Sequence, residues 1–314
     1  MTRPNPLAGG LRMAAPLVAR ARTMRKPAIV ELSIFGYILF VWLMLYTPAQ
    51  PKFQSVVGFD AAAYWLADVF HPYLQPLGTF GSFTYSPAFA LAMSPGHLLP
   101  FWLFFVVWDS FLIVLLVWMT RRWTLIWLVF LPVSLELFHG NVHILLAAVC
   151  VLGFEYPALW SIGILTKVTP GVSLLWFVVR REWRSLAWAL GATALITAVS
   201  FAIAPSAWFE WVKFLTSSNA TGPQVNVGFE AITPPLWLRI VAAAGLIVWG
   251  ARTDRRWVVP VATAISMPVI WIITPAILVA IPRLRRKVVP AALEADGDVA
   301  TAQSPRAAPT ASST

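Results

Sequence analysis

The sequence FWLFFVVWDSFLIVLLVWM, residues 101–119, predicts a helix that crosses a membrane. A membrane-spanning helix needs about 20 predominantly apolar residues, and this run has that length. Asp109 is the one ionisable residue in it. Because an ionised carboxylate at the bilayer centre costs about 2.5–3.5 kcal/mol, Asp109 is expected to be either paired or functional, and its depth in the span favours a role in helix packing.

The composition of the whole chain extends this prediction to an all-α, polytopic membrane protein. Hydrophobic residues make up 59% and charged residues 11% of the 314 residues, whereas a soluble domain has roughly 25% charged residues. The apolar stretches are continuous and do not alternate with a period of two, which favours helices over a β-barrel. The single cysteine, Cys150, lies in an apolar run and has no partner for an internal disulfide.

The positive charge indicates orientation in the membrane and not nucleic-acid binding. The net charge is +10, and the basic residues cluster at the ends of the apolar spans. Residues 1–28 are basic and contain no acidic residue, and an apolar span follows over 29–46. The positive-inside rule places this segment in the cytoplasm, together with four later clusters: Arg121-Arg122, Arg180-Arg181-Arg184, Arg252-Arg255-Arg256 and Arg283-Arg285-Arg286-Lys287.

Between these clusters the chain must leave the cytoplasmic side and return. Three hairpins with short arms are predicted over 123–154, 158–179 and 257–281, and their tips are HGNVH (139–143), TKVTP (166–170) and MPVIW (267–271). Their arms are shorter than the roughly 20 residues of a full crossing, so we expect the tips to dip into the bilayer and line a cavity.

The remaining crossings complete a bundle of about ten helical passes with both termini in the cytoplasm. They are residues 185–203 and 235–250. Residues 85–99 contain two prolines and are followed by a third, Pro100, and we expect them to form a surface helix on the outer leaflet. The membrane domain is predicted over 29–282, and the tail 283–314 is predicted to be disordered and cytoplasmic because of its Ala, Pro, Ser, Thr and acidic residues.

This topology brings the polar residues of the loops and tips to the outer face. They are Asp60, Asp68, Glu136, His139, Asn141, His143, Lys167, Glu210, Glu230 and Arg239. Most basic residues are held inside by orientation, so a lysine at a hairpin tip and an arginine at an outer helix start need another explanation. A phosphate in the outer leaflet is the simplest partner, because guanidinium and ammonium groups bind it by charge-assisted hydrogen bonds.

The order of these features resembles the GT-C type of membrane glycosyltransferases, and more closely the bacterial polyprenol-phosphate-mannose-dependent alpha-mannosyltransferases. The similar pieces are Asp60 and Tyr64, Tyr85-Ser86-Pro87, Gly140-Asn141, Lys167-Val168-Thr169-Pro170 followed by RREWR, Arg239, and Met267-Pro268 with Trp271. The chain departs from the family in having Ser86-Pro87 where two prolines are usual, and Gly140-Asn141 where Gly-Gln is usual.

The resemblance implies an enzyme of the bacterial cytoplasmic membrane with its active face outward. A polyprenol-phosphate-mannose donor would present its phosphate to Lys167 and Arg239. Asp60 would act as the general base for an acceptor hydroxyl on a glycolipid or cell-wall glycan, with inversion at the anomeric carbon. No cofactor, no metal and no nucleic acid are expected, and the substrate pocket is assigned to Tyr64, Tyr85, His139, Asn141, His143 and Trp271.

Several residues also have a structural interpretation. Asp60 could cap a helix that begins at Ala61, and Lys167 could extend to the lipid head groups. His139 and His143, four residues apart, could share a metal if one helix carried both, but Gly140 interrupts that helix. At the level of the whole chain, a lipid-linked sugar transporter or flippase is the alternative to an enzyme.

Overall fold

The computed structural model describes residues 57–75, 79–216 and 234–285, and all regular elements in these ranges are helical. The α-helices are α1 Phe59–Leu66, α2 Pro87–Met93, α3 Phe101–Thr120, α4 Thr124–Val129, α5 Leu131–His139, α6 His143–Leu152, α7 Trp160–Thr166, α8 Leu175–Arg180, α9 Trp183–Ile203, α10 Pro205–Thr216, α11 Leu236–Arg252, α12 Val258–Ser266 and α13 Ile281–Leu284. The predicted segment 1–28, the span 29–46, Glu230 and the tail from residue 286 onward lie outside the described residues.

The longest helices confirm the predicted membrane character. Within the described ranges, the helical run Phe101–Val129 and helix α9 are long and apolar enough to cross a membrane, and α5 with α6 makes a third span if this bent pair is counted as one. Asp109 is buried in α3, and its role in helix packing stays a prediction. These helices account for two or three of the roughly ten predicted passes, and the remaining passes stay a prediction.

The basic clusters gather at one end of the molecule. The guanidinium group of Arg283 lies over the ring of Trp118, near the end of α3. In the first half of α3, the indole N–H of Trp108 donates a hydrogen bond of 2.7 Å to the carbonyl of Gly140, and a Cβ atom at Gly140 would lie 3.2 Å from the ring of Phe105. Helix α3 therefore runs from a basic end to the end that carries the HGNVH break. The assignment of the basic end to the cytoplasm stays a prediction.

The helices break at the predicted tips. Helix α5 ends at Gly140, which has φ +68°, and α6 leaves at an angle of 110° to α5. A Cβ atom at Gly140 would lie 2.9 Å from the Cβ of Ala61, so the absent side chain also lets α1 pack against the break. The other two tips are breaks as well: α7 ends before Lys167, and α12 ends before Met267.

The first part of residues 85–99 differs from the predicted surface helix. Helix α2 is short, and its first turn is buried, with Ala90 inaccessible to solvent. Pro87 occupies the first helical position, where proline is tolerated, and does not expel the segment from the core. The hydroxyl of Ser86 donates to the carbonyl of Leu165, which fastens the start of α2 to the end of α7. The start of this segment is thus part of the packed interior, whereas residues 94–98 form a 3-10 helix without a buried residue.

Candidate active site

Asp60 lies in the first turn of α1, close to the broken helix. The helix is capped by Gly58, which has φ +72° and donates a backbone hydrogen bond of 2.8 Å to Phe138. Because α1 begins at Phe59, Asp60 is a first-turn residue and not the helix cap that the sequence also allowed. The positive end of the helix dipole stabilises a carboxylate at this position.

A chain of polar contacts links α1 to the first break. The hydroxyl groups of Tyr64 and Tyr85 are 3.0 Å apart, and Tyr85 donates to the Oδ1 atom of Asn141 at 3.5 Å. The two tyrosine rings pack edge to face. The hydroxyl of Tyr73 also donates to the backbone carbonyl of Tyr85 at 2.6 Å. Tyr85 is therefore held both at its side-chain hydroxyl and at its backbone carbonyl.

Lys167 joins the same group of residues. It follows α7, and its Nζ atom lies 4.4 Å from the centre of the Tyr85 ring, a distance typical of a cation–π contact. Its ammonium group also interacts electrostatically with Asp60 and Glu136. The half-buried Lys167 is directed onto Tyr85, which differs from a lysine that extends to the lipid head groups.

Glu136 is the residue that the sequence analysis left without a role. It is fully buried, and its Oε2 atom lies 2.8 Å from Nδ1 of His143, which is 2% exposed. Its Oε1 atom accepts hydrogen bonds from the backbone N–H groups of His143 and Ile144. Glu136 thus caps α6 across the break and fixes the orientation of the imidazole. The sequence signal that could have indicated this role is a carboxylate, Glu136, four residues before the helix-breaking Gly140.

His139 is the last residue of α5, and His143 is the first residue of α6, so the two histidines do not lie on one helix. Its half-buried ring contacts the ring of Phe59 edge to face, with the ring centres 6.4 Å apart. Nδ1 of His143 forms a hydrogen bond with Glu136. Among the described residues, no group of three or more His, Cys, Asp or Glu side chains comes together as a metal site.

Arg239 occupies a different position from the one expected of a phosphate ligand. It is 7% exposed, and its guanidinium group donates to the carbonyls of Pro234 at 2.9 Å, Ile265 at 3.2 Å, Pro268 at 2.9 Å and also Met267. Four of its five N–H donors are therefore used, chiefly at the carboxyl end of α12.

The helix break that follows α12 lies next to the break at Lys167. The hydroxyl of Ser266 lies 3.4 Å from the carbonyl of Thr169, two residues after Lys167. Trp271 lies in this break, is 39% exposed, and donates its backbone N–H to the hydroxyl of Thr274. The structure thus brings Asp60, Tyr64, Tyr85, Asn141, His143 and Lys167 together with Glu136, and places Arg239 and Trp271 on the neighbouring break.

Asp68, the other acidic residue of this loop, is exposed and has a local structural role. Its Oδ1 atom accepts hydrogen bonds from the backbone N–H groups of Phe70 at 2.7 Å and His71 at 2.9 Å. The bonds from His71 and Phe70 hold the pKa of Asp68 below its usual value. Asp68 stabilises a turn and is separate from the residues around Tyr85.

A comparison with known protein families matches residues 83–301 to glycosyltransferase family 87. The match covers more than two thirds of the chain. It includes Tyr85 and Lys167, whereas Asp60 and Tyr64 precede it. No curated protein and no solved structure matches the chain. The length of the family match shows that this chain belongs to glycosyltransferase family 87.

Proposed function

We propose that this glycosyltransferase transfers a mannosyl residue from a polyprenol-phosphate-linked donor to a glycolipid or cell-wall glycan acceptor. Glycosyltransferase activity follows from the family and disfavours the transporter alternative. The donor, the acceptor and the stereochemistry are the proposal. The observation that carries it is that Tyr85 contacts the ammonium group of Lys167 and also Tyr64, which lies one helical turn after Asp60 on α1.

Asp60 is the better of the two carboxylates for general-base catalysis. Both oxygens of Glu136 accept hydrogen bonds from the protein, and its side chain is fully buried. Asp60 is half-buried, on the first turn of a helix that begins beside the break. A base must come within hydrogen-bond reach of the acceptor hydroxyl, and the more accessible carboxylate meets that condition.

The reaction needs one base and no acid. The acceptor oxygen attacks the anomeric carbon while the bond from that carbon to the phosphate oxygen breaks. The hydroxyl proton passes to Asp60, and the polyprenyl phosphate leaves with the bonding electrons. Because this leaving group is already an anion of low basicity, its oxygen needs no protonation, and a single displacement inverts the anomeric centre.

Lys167 provides the main positive charge for the donor phosphate. An ammonium group forms strong, charge-assisted hydrogen bonds to phosphate oxygens, and the cation–π contact with Tyr85 orients it. Arg239 has one N–H left after its four carbonyl contacts, so its contribution to phosphate binding is secondary. In the sugar pocket, His139 and Trp271 are the more accessible residues, while the buried Tyr64, Tyr85, Asn141 and His143 hold the pocket in shape.

We place this site on the outer face of a bacterial cytoplasmic membrane, in a bundle of about ten passes with both termini inside. The separation of the basic clusters from the Asp60 end of α3 supports this orientation. A lipid-linked donor would then enter from the outer leaflet.

The test is a donor assay with the purified full chain in lipid nanodiscs. Radiolabelled polyprenol-phosphate mannose is supplied with a membrane-lipid extract, and polyprenol-phosphate glucose and arabinose serve as competing donors. We expect label to pass from the mannose donor into an acceptor lipid or glycan. Asp60→Asn should lower turnover by at least about a hundredfold, the usual contribution of a general base, while Asp68→Asn should retain activity. Label from glucose or arabinose alone would reject mannose, and normal turnover of Asp60→Asn would reject the base.

A further inference from the structure

Two adjoining cavities form a continuous groove at the basic end of α9. The first has a volume of about 510 Å³ and is lined by Ala158, Arg184, Ala187, Trp188, Gly191, Ala192 and Leu195. The second, about 390 Å³, is lined by residues 154–158 together with Arg184, Ser185 and Trp188. The shared lining residues are Ala158, Arg184 and Trp188. We call the two cavities together the α9 groove.

The α9 groove is about as long as one lipid leaflet is thick. From Arg184 to Leu195 the helix rises about 16 Å at roughly 1.5 Å per residue. The hydrocarbon core of a bilayer is about 30 Å thick, so this length is close to half of it. A Cβ atom at Gly191 would meet nothing within 4 Å, which shows open space along the groove.

The polar part of the α9 groove carries one charge of each sign. Arg184 and Glu155 are both exposed and both line the second cavity. Neither forms an ion pair with any residue within 57–75, 79–216 or 234–285. Arg184 also lies in the first turn of α9, where the helix dipole favours an anion and makes a lone cation costly. The groove therefore offers a cation for a phosphate and, beside it, a carboxylate for an ammonium group.

We propose that the α9 groove binds a phospholipid whose head group carries both a phosphate and a primary ammonium, as phosphatidylethanolamine does. The phosphate contacts Arg184, the ammonium contacts Glu155, and one acyl chain lies along Gly191. An anionic head group would be repelled by Glu155, and a choline head group has no N–H to donate to it. This inference is independent of the donor and acceptor proposed above.

The test is native mass spectrometry of the full chain in detergent, titrated with dioleoyl phosphatidylethanolamine, phosphatidylglycerol or phosphatidylcholine. We expect phosphatidylethanolamine to bind about tenfold more tightly than the other two lipids. Losing the charge-assisted contact in Arg184→Gln should weaken binding by roughly ten- to a hundredfold. Glu155→Gln should remove the preference over phosphatidylglycerol. Arg181→Gln, a neighbouring arginine outside the cavity lining, is the matched control.

Filling the groove provides a second measurement. Gly191→Leu should reduce retention of all three lipids, whereas Gly245→Leu should not, although Gly245 on α11 also faces open space. Equal affinity for the three lipids, a preference for phosphatidylglycerol, or equal behaviour of the two leucine variants would overturn the proposal. If the chain's own segment 29–46 fills the groove, Gly191→Leu would lower thermal stability with unchanged lipid binding, and the proposal would also fall.

Discussion

The two cations expected to bind phosphate differ in how much of their hydrogen-bonding capacity the protein already uses. Lys167 contacts the face of a tyrosine ring, and this contact occupies no oxygen acceptor, so its ammonium group keeps N–H donors for a phosphate. Arg239 donates to four backbone carbonyls at the end of α12 and the break that follows. The partners of Arg239 are 26 to 29 residues away in sequence, apart from Pro234, so spacing could not have revealed them.

Alanine substitutions should therefore separate the two cations. Lys167→Ala removes one charge-assisted contact worth about 1.5–3 kcal/mol, so donor use should fall by roughly ten- to a hundredfold with little change in Tm. Arg239→Ala leaves buried carbonyls without donors and should lower Tm, and Arg239→Lys should restore only part of the loss because the planar fork is missing.

Thermal unfolding and donor KM are measured on the same preparations. Lys213→Ala, an exposed lysine on α10, is the control for loss of charge. A large rise in donor KM for Arg239→Ala at unchanged Tm would contradict the assignment of Arg239 as mainly a structural donor to backbone carbonyls. A parent-like KM for Lys167→Ala would show that its charge does not bind the phosphate.

Glu136 and Glu210 form a natural pair for comparison, because each contacts Nδ1 of a histidine at 2.8 Å. The Glu136–His143 pair is buried, whereas His71 and Glu210 are 55% and 35% exposed. Leaving a buried hydrogen-bonding group without its partner typically costs about 1–3 kcal/mol, and an exposed pair is worth about 0–1 kcal/mol. We expect Glu136→Ala to lower stability strongly and Glu210→Ala to have little effect.

Nitrogen NMR of labelled histidine gives a more specific measurement on the conservative variant. A glutamine at 136 has one acceptor oxygen and an NH₂ group, so it cannot accept every N–H that Glu136 accepts. We expect Glu136→Gln to move the proton of His143 from Nδ1 to Nε2, with the signal assigned through His143→Gln. An unchanged tautomer would show that Glu136 does not orient the ring.

At the level of helices, the sequence predicted lengths and breaks better than burial. The crossings expected over 101–119 and 185–203 correspond to α3 and α9 within two residues at each end. Apolar length and the flanking arginines are local signals, which explains this agreement. The buried position of α2 was missed because it depends on contact with α7, whose carbonyl at Leu165 is 79 residues away from Ser86.

The break between α5 and α6 should depend on the absence of a side chain at Gly140. Its φ of +68° is unfavourable for other residues, and an added Cβ would approach Ala61 at 2.9 Å. A strained left-handed residue costs of the order of 1–3 kcal/mol, so Gly140→Ala should lower Tm and displace α1 with Asp60. Gly245→Ala, in an open helical position, should leave Tm unchanged or raise it slightly. Equal Tm values for both variants would show that the break tolerates a side chain.

For the whole molecule, the distribution of charge along α3 predicts which end faces outward. Arg122 lies just beyond α3 at the basic end, and Ser82 precedes Tyr85 at the end that carries the candidate site. In a Cys150→Ala background, Ser82→Cys should react with an impermeant thiol reagent added to intact cells. Arg122→Cys and Arg184→Cys should react only after the cells are opened, because the positive-inside rule holds these clusters in the cytoplasm. Labelling of residue 122 from outside would reverse the orientation of α3. The candidate site would then face the cytoplasm, and a donor in the outer leaflet could not reach Lys167.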